Sequence, residues 1–474
     1  MALGLSRGFW VTLAVILVVT AATILLAPLY RVALLGSGYM AQTLCSGMFV
    51  SGRSMDELMA QELASAGSGE LAYFQAAPDH DARTVSASAY GFASQTAIFR
   101  NGLGCTLIDG KSEADLRAQA SGLFPARKPP KTDAAWPLGE HVAAWAAPED
   151  VNVEAVTKTI ADIFAERDPA RPRRTRALVV VHGGRIVAER YAPGFDAHMP
   201  LIGWSMSKTA VNALVGMRVK DGAIALDDDA LMLEWRAQND PRRAITLGEL
   251  MHMTSGLEFD ESTSSNLSDV SQMLFVQGDA AHFAASKPLI HEPGTHWSYS
   301  SGTTAIIDGI LRGTFKDERD YLRFPIERLF GPLGMTSAVL EPDASGTFIG
   351  SSFLYTSARD WARLGLLFLH DGVWNGTRLL PEGWVDYSLK PTKLSPHGQY
   401  GAQIWLKLTN APNQGEPPMP EDAYYMLGFD GQAVVVVPSR DLVVVRLGLT
   451  PDGGDWHTGR DLAPLVNAFL GSAR

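Results

Sequence analysis

A serine hydroxyl and a lysine amine stand three residues apart in Ser205-Met206-Ser207-Lys208, just inside a stretch that reads as a helix, so both fall on one helical face. A serine hydroxyl is a weak nucleophile at neutral pH and needs a neighbouring base. A desolvated lysine amine is one way to supply it. Of the eleven lysines in the chain, only Lys208 has a serine three positions earlier. The chemistry open to such a pair is acyl transfer through a serine ester. A solvated helix start explains the same four residues more plainly, so the pair needs support elsewhere in the chain.

The elements that must position the pair run from about residue 140 to the end. Val153 to Glu166 has a helical pattern, and two β-rich runs follow, Ala177 to His182 and Arg185 to Tyr191, with Gly183-Gly184 as the hairpin turn. A matching hairpin lies near the end, Ala433 to Val437 and Leu442 to Leu447 around Pro438-Ser439-Arg440-Asp441, before a helical stretch from Gly459 to Leu470. Between the hairpins the chain is mainly helix and loop, including Ala210 to Lys220, Leu247 to Met253, Thr304 to Leu311 and Ala358 to Leu369. The simplest assembly is α+β: an antiparallel sheet made from both ends of the region, covered by the terminal helices, with a helical insert. Ahead of it, a possible helix at Met55 to Ala66 and β-prone runs at Thr84 to Tyr90 and Thr96 to Ile108 suggest a small accessory domain. Phe124 to Lys131 is rich in Pro and Lys and reads as a linker. The expected division is 1–34, 35–135 and 140–474.

The chain of 474 residues exceeds what one core usually serves, and at 46% hydrophobic it has ample core material. A net charge of −11, with no basic stretch interleaved with aromatics, argues against a nucleic-acid partner. Gly8 to Tyr30 carries no charge, and Phe9 to Leu26 is almost wholly apolar, long enough to cross a bilayer. It reads as an uncleaved anchor, which would place the protein in the inner membrane as a single-pass protein with its catalytic part periplasmic. A cleaved signal peptide competes, since Arg7 precedes the run and Ala21-Ala22 are small. Cys45 and Cys105 both follow this segment and suggest a disulfide in an oxidising compartment, with two unrelated thiols as the alternative. No Cys-x-x-Cys or His-x-x-x-His pair offers a metal site, and no organic cofactor is implied.

Beside Ser205 to Lys208, several stretches occur in order: Ile245 to Leu257, Pro293 to Gly302, Leu329 to Met335, Ser357 to Gly365 and Gly428 to Gln432. Together they resemble the serine hydrolases related to class C β-lactamases and DD-peptidases. The resemblance implies a β-lactamase-like fold over 140–474, with Ser205 as the acylated nucleophile, Lys208 as its activating partner and Tyr299 as a proton carrier. Whether Lys208 or Tyr299 is the principal base stays open. It also implies an oxyanion hole from the backbone N–H groups of Ser205 and Gln432. Two departures bear on the substrate. The family's Tyr-x-Asn is Tyr299-Ser300-Ser301 here, and its Lys-Thr-Gly is Phe429-Asp430-Gly431, which lacks the cation that holds a β-lactam carboxylate. This pattern is similar to the esterase and 6-aminohexanoate-oligomer hydrolase branch, which cleaves linear esters or amides. Trp204, Ser301, Phe429, Asp430 and Gly431 are then candidates for the substrate cleft. Asp260 and Glu261 resemble a loop near it, and a solvated turn fits them equally.

Two rivals remain at this level. Gly203-Trp204-Ser205-Met206-Ser207 falls one residue short of the Gly-x-Ser-x-Gly elbow, with His457 as a distant partner, but Pro200-Leu201-Ile202 is too short for the buried strand that elbow follows. The other is a catalytically silent envelope binding protein on the same fold. The expectation is a serine hydrolase of a small ester or amide, with β-lactamase or DD-peptidase activity as the alternative; the oligomeric state is not legible.

Overall fold

The computed structural model describes residues 7–64, 73–124, 133–149, 151–262, 267–408 and 418–470. A helix, Arg7–Phe49, leads into a four-stranded antiparallel sheet of β1 (Phe74–Asp79), β2 (Thr84–Ala89), β3 (Phe92–Arg100) and β4 (Gly104–Leu107) in sequential order. Met40, Ala41 and Leu44 of the helix are fully buried, with Val85, Ala97 and Cys105 of the sheet in the same apolar cluster. A disulfide joins Cys45 to Cys105 across that contact. The run Thr96 to Ile108 is two strands: Gly102 and Gly104 take φ of +78° and +66°, which turns the chain back on itself. The proposed linker lies largely outside the described residues.

The expected membrane anchor is corrected here. Among the described residues, no helix is long and apolar enough to cross a membrane. The apolar run is the leading part of a 43-residue helix that contains Pro28 and continues unbroken into the packed segment around Met40. The membrane partner and the single-pass inner-membrane placement fall with the anchor.

The second sheet is antiparallel and draws on both ends of the remaining chain. Its strands are β5 (Thr175–His182), β6 (Arg185–Tyr191), β7 (Tyr424–Gly428), β8 (Gln432–Val437) and β9 (Leu442–Gly448), in the order β7-β8-β9-β5-β6. The three central strands are near-continuous runs of Val and Leu because both faces are covered. Leu178, Val180, Val435 and Val444 face the helices Val153–Phe164 and Thr458–Asn467, where Ile163 and Leu465 meet them, with Phe469 just beyond the second helix in the same cluster. Alternate residues Val179, Val181, Val434, Val443 and Val445 share the larger core with Trp361 and Leu364 of the helix Ala358–Leu369. Gly365 lets that helix lie close, since a Cβ there would sit 2.7 Å from Val443. Each fully buried valine contributes roughly 1.5–3 kcal/mol, so the sheet is a stiff base for what it carries. What it carries lies at the junction with the helical insert.

Candidate active site

A short strand, Leu201–Ile202, pairs with Leu354–Thr356, and the N–H of Gly203 donates to the Leu354 carbonyl at 2.9 Å. Only glycine fits at 203, because a Cβ would meet the Trp361 ring at 2.2 Å. Trp204 then takes φ +48°, unusual for a bulky residue, and turns the chain into a tight helical turn, Trp204–Met206. The helix Ser207–Lys220 follows. Ser205 sits at the start of this helical run, where N–H groups lack intrahelical acceptors. Ser207 has a supporting part: its hydroxyl donates to the Trp204 carbonyl at 2.6 Å and accepts from the Leu354 N–H at 3.2 Å.

The Lys208 amine is buried and has three oxygen neighbours: Ser205 Oγ at 3.0 Å, Ser301 Oγ at 3.0 Å and the Ser351 carbonyl at 3.1 Å. It also lies 4.9 Å from the centre of the Tyr299 ring. Tyr299 is half-buried and set by two further rings, Tyr400 edge-on at 5.7 Å and Trp405 at 5.2 Å. Its hydroxyl makes no hydrogen bond among the described residues, so it is free to meet a ligand. Ser205, Lys208 and Tyr299, separated by up to 94 positions in the chain, are therefore brought together around one amine.

Ser301, expected in the substrate cleft, is turned inward, at 2% exposure. Besides accepting from Lys208, it donates from its backbone N–H to Glu261 Oε2 at 2.7 Å and from its hydroxyl to Oε1 at 2.5 Å. Glu261 is thus no solvated turn residue. Burial pushes its carboxyl upward, while Lys208 and the Ser301 hydrogen bonds pull it back.

The turn Phe429–Gly431 lies beside Ser205's own turn, since a Cβ on Gly428 would meet the Gly203 carbonyl at 2.2 Å. Phe429 is 42% exposed and packs edge-on to Trp204 at 5.8 Å, so these two rings form one wall. Asp430 takes φ +59°, and burial pushes its carboxyl up to about 7, with Arg176 and Arg446 pulling it back. Gly431, at φ +78°, leaves room for Arg446, whose guanidinium holds the turn by donating to the Asp430 and Gly431 carbonyls at 3.1 and 2.9 Å. The Gln432 N–H donates to the Phe429 carbonyl and closes this turn, while its side chain is fixed on Gly448. The N–H expected at the oxyanion hole is therefore engaged locally in this state. His457 is a helix cap, its Nδ1 accepting from the Arg460 N–H at 3.2 Å. Among the described residues, no cluster of three His, Cys, Asp or Glu is placed to hold a metal.

Sequence reasoning missed Ser351, Tyr400, Trp405 and Arg446. Ser351 acts through a backbone carbonyl, which any residue would supply. Arg446 has a retrospective signal: a buried arginine inside a strand of valines needs acceptors, and it finds them in the turn before Gln432.

A family model described as Beta-lactamase matches residues 160–465. The chain is 24% identical over 344 residues to the 6-aminohexanoate-dimer hydrolase of Paenarthrobacter ureafaciens, covering 62% of this chain and 80% of that protein. Among solved structures, a family VIII carboxylesterase superposes with a TM-score of 0.52 at 14% identity, covering 69% of this chain and 99% of its own. EstCE1, a hydrolase with promiscuous acyltransferase activity, gives 0.51 at 15% identity, covering 67% and 99%. At these identities the structural likenesses speak for the fold.

Proposed function

The chain belongs to the β-lactamase family, and from that we propose that it hydrolyses a small ester or linear amide through an acyl-enzyme on Ser205. The observation that carries the reading is the Ser205 Oγ to Lys208 Nζ contact of 3.0 Å, with the amine buried. In the first half-reaction the Ser205 proton passes to Lys208 as Oγ attacks the substrate carbonyl. The departing alcohol or amine then takes a proton from Lys208 or through Tyr299, whose hydroxyl makes no hydrogen bond among the described residues. Water reverses the sequence to release the acid. The lack of a lysine in Phe429-Asp430-Gly431, together with the likeness to a 6-aminohexanoate-dimer hydrolase, favours linear substrates over β-lactams. Residues 140–474 would form the hydrolase unit and 35–135 an accessory to it.

The test is a panel of p-nitrophenyl esters, 6-aminohexanoate oligomers and a chromogenic cephalosporin, compared by kcat/KM. The cephalosporin should be the poorest. Fastest turnover of the cephalosporin would overturn the substrate assignment.

A further inference from the structure

We propose that Glu261 is a positioning residue for the reactive amine: it captures the hydroxyl proton of Ser301, makes that oxygen an acceptor, and so directs the Lys208 lone pair at Ser205. The inference rests on the acyl-enzyme reading above.

The argument is a proton inventory. An ionised carboxylate can only accept, so the short contact from Ser301 Oγ to Glu261 Oε1, at 2.5 Å, takes the single hydroxyl proton of Ser301. Toward Lys208, at 3.0 Å, Ser301 can then only accept. The Ser351 carbonyl, at 3.1 Å, can also only accept. The acyl-transfer reading requires the amine in its base form, with two N–H bonds and one lone pair. In that form both N–H bonds are claimed, and the lone pair is left for Ser205 Oγ, 3.0 Å away. Without Glu261 the Ser301 hydroxyl could rotate, donate to the amine and occupy the lone pair itself.

The departure from Tyr-x-Asn explains why such a partner is needed. An asparagine carbonyl oxygen accepts by nature, whereas a serine hydroxyl can donate or accept until something fixes it. The loop bearing Glu261 is seated for the task. The Phe259 ring lies where a Cβ on Gly302 would fall, at 2.3 Å, and the backbone of Asp260 is tied to Asp269 and Val270. The titratable groups facing Glu261 are Lys208, Asp260 and Tyr400, and Asp308 also acts on Lys208. During acylation the Ser205 proton moves to Nζ, the Oγ–carbon bond forms, and the carbonyl electron pair moves to oxygen. The Ser301 proton stays between Ser301 and Glu261 throughout.

The experiment measures kcat and KM for p-nitrophenyl butyrate between pH 5 and 9, using the full chain. The proteins are wild type, Ser205→Ala, Glu261→Leu, Ser301→Asn, Ser301→Ala and the double variants that combine Glu261→Leu with each change at 301. Leucine is chosen because a glutamine carbonyl could still accept the Ser301 proton. Glu261→Leu should lower kcat by about 10²-fold, the scale of a small misplacement, with KM nearly unchanged. The loss should vanish when position 301 is Asn, which needs no proton acceptor, and in the Ser301→Ala background. Part of the acid limb of the wild-type profile should disappear in Glu261→Leu. Wild-type kcat in a folded Glu261→Leu protein, or a loss that persists undiminished in both double variants, would overturn the proposal. Wild-type protein lacking Ser205-dependent turnover would instead overturn the hydrolase reading, and this inference with it.

Discussion

Glu261 and Glu341 each accept a serine hydroxyl and a backbone N–H, in two different regions of the molecule. Glu261 takes both from Ser301. Glu341 takes the hydroxyl of Ser46 at 2.9 Å, the N–H of Cys105 at 2.7 Å and the amide of Gln42 at 2.9 Å. Burial pushes both carboxyls upward. What differs is the far end of each chain of contacts. Behind Ser301 stands an amine 3.0 Å from a serine oxygen, whereas Ser46 lies on the N-terminal helix and Cys105 in the disulfide that ties that helix to the first sheet. A buried, perturbed carboxylate is thus not by itself a mark of chemistry; the group it reaches decides. Glu261 serves a reaction, and Glu341 fastens the N-terminal region to the hydrolase unit.

Exchanging damage between the two regions tests that division. The largest effect is expected at the amine. Lys208→Ala should reduce ester turnover by about 10³-fold or more while the protein stays folded, read by steady-state kinetics beside a thermal melt. Glu341→Ala should do the reverse. It leaves the Gln42, Ser46 and Cys105 donors buried without their acceptor, with an expected cost of about 3 kcal/mol in denaturant unfolding. Turnover per folded molecule should stay at the wild-type level. If Glu341→Ala lost activity in a fully folded sample, the two regions would not be separable in this way.

A smaller effect concerns pH. Burial raises the Glu341 carboxyl from 4.5 to about 8, with its three donors pulling it back, so the folded protein keeps a proton there that the unfolded chain releases near 4.5. The stability linked to this group is complete below the unfolded value and is lost as pH rises toward about 8. Melting of Glu341→Gln, compared with wild type across that window, should show a shallower decline. An equal slope in both proteins would remove Glu341 as its source.

Much of the hydrolase unit was legible in the sequence, for reasons specific to its residues. The central strands were visible as valine runs because both faces of the sheet are covered, and Gly183-Gly184 marked one hairpin. Ser205, Lys208 and Tyr299 could be named because reactive side chains carry their identity in the residue type. The Ser351 carbonyl could not, since every residue has one. Ser301 reads as a cleft residue because its motif position suggests a substrate contact. Its inward turn depends on Glu261, forty positions earlier, and only the fold brings the two together. The N-terminal reading failed differently. A hydropathy run shows where side chains are apolar but not where the helix ends, and Arg7–Phe49 continues into a packed segment.

The central claim is that Ser205 carries the acyl group, and intact-mass analysis of the full chain during p-nitrophenyl butyrate turnover tests it most directly. The account predicts a transient adduct of one butyryl group on wild-type protein, with both adduct and turnover absent from Ser205→Ala. Undiminished hydrolysis by folded Ser205→Ala, or an adduct that maps to another residue, would contradict it.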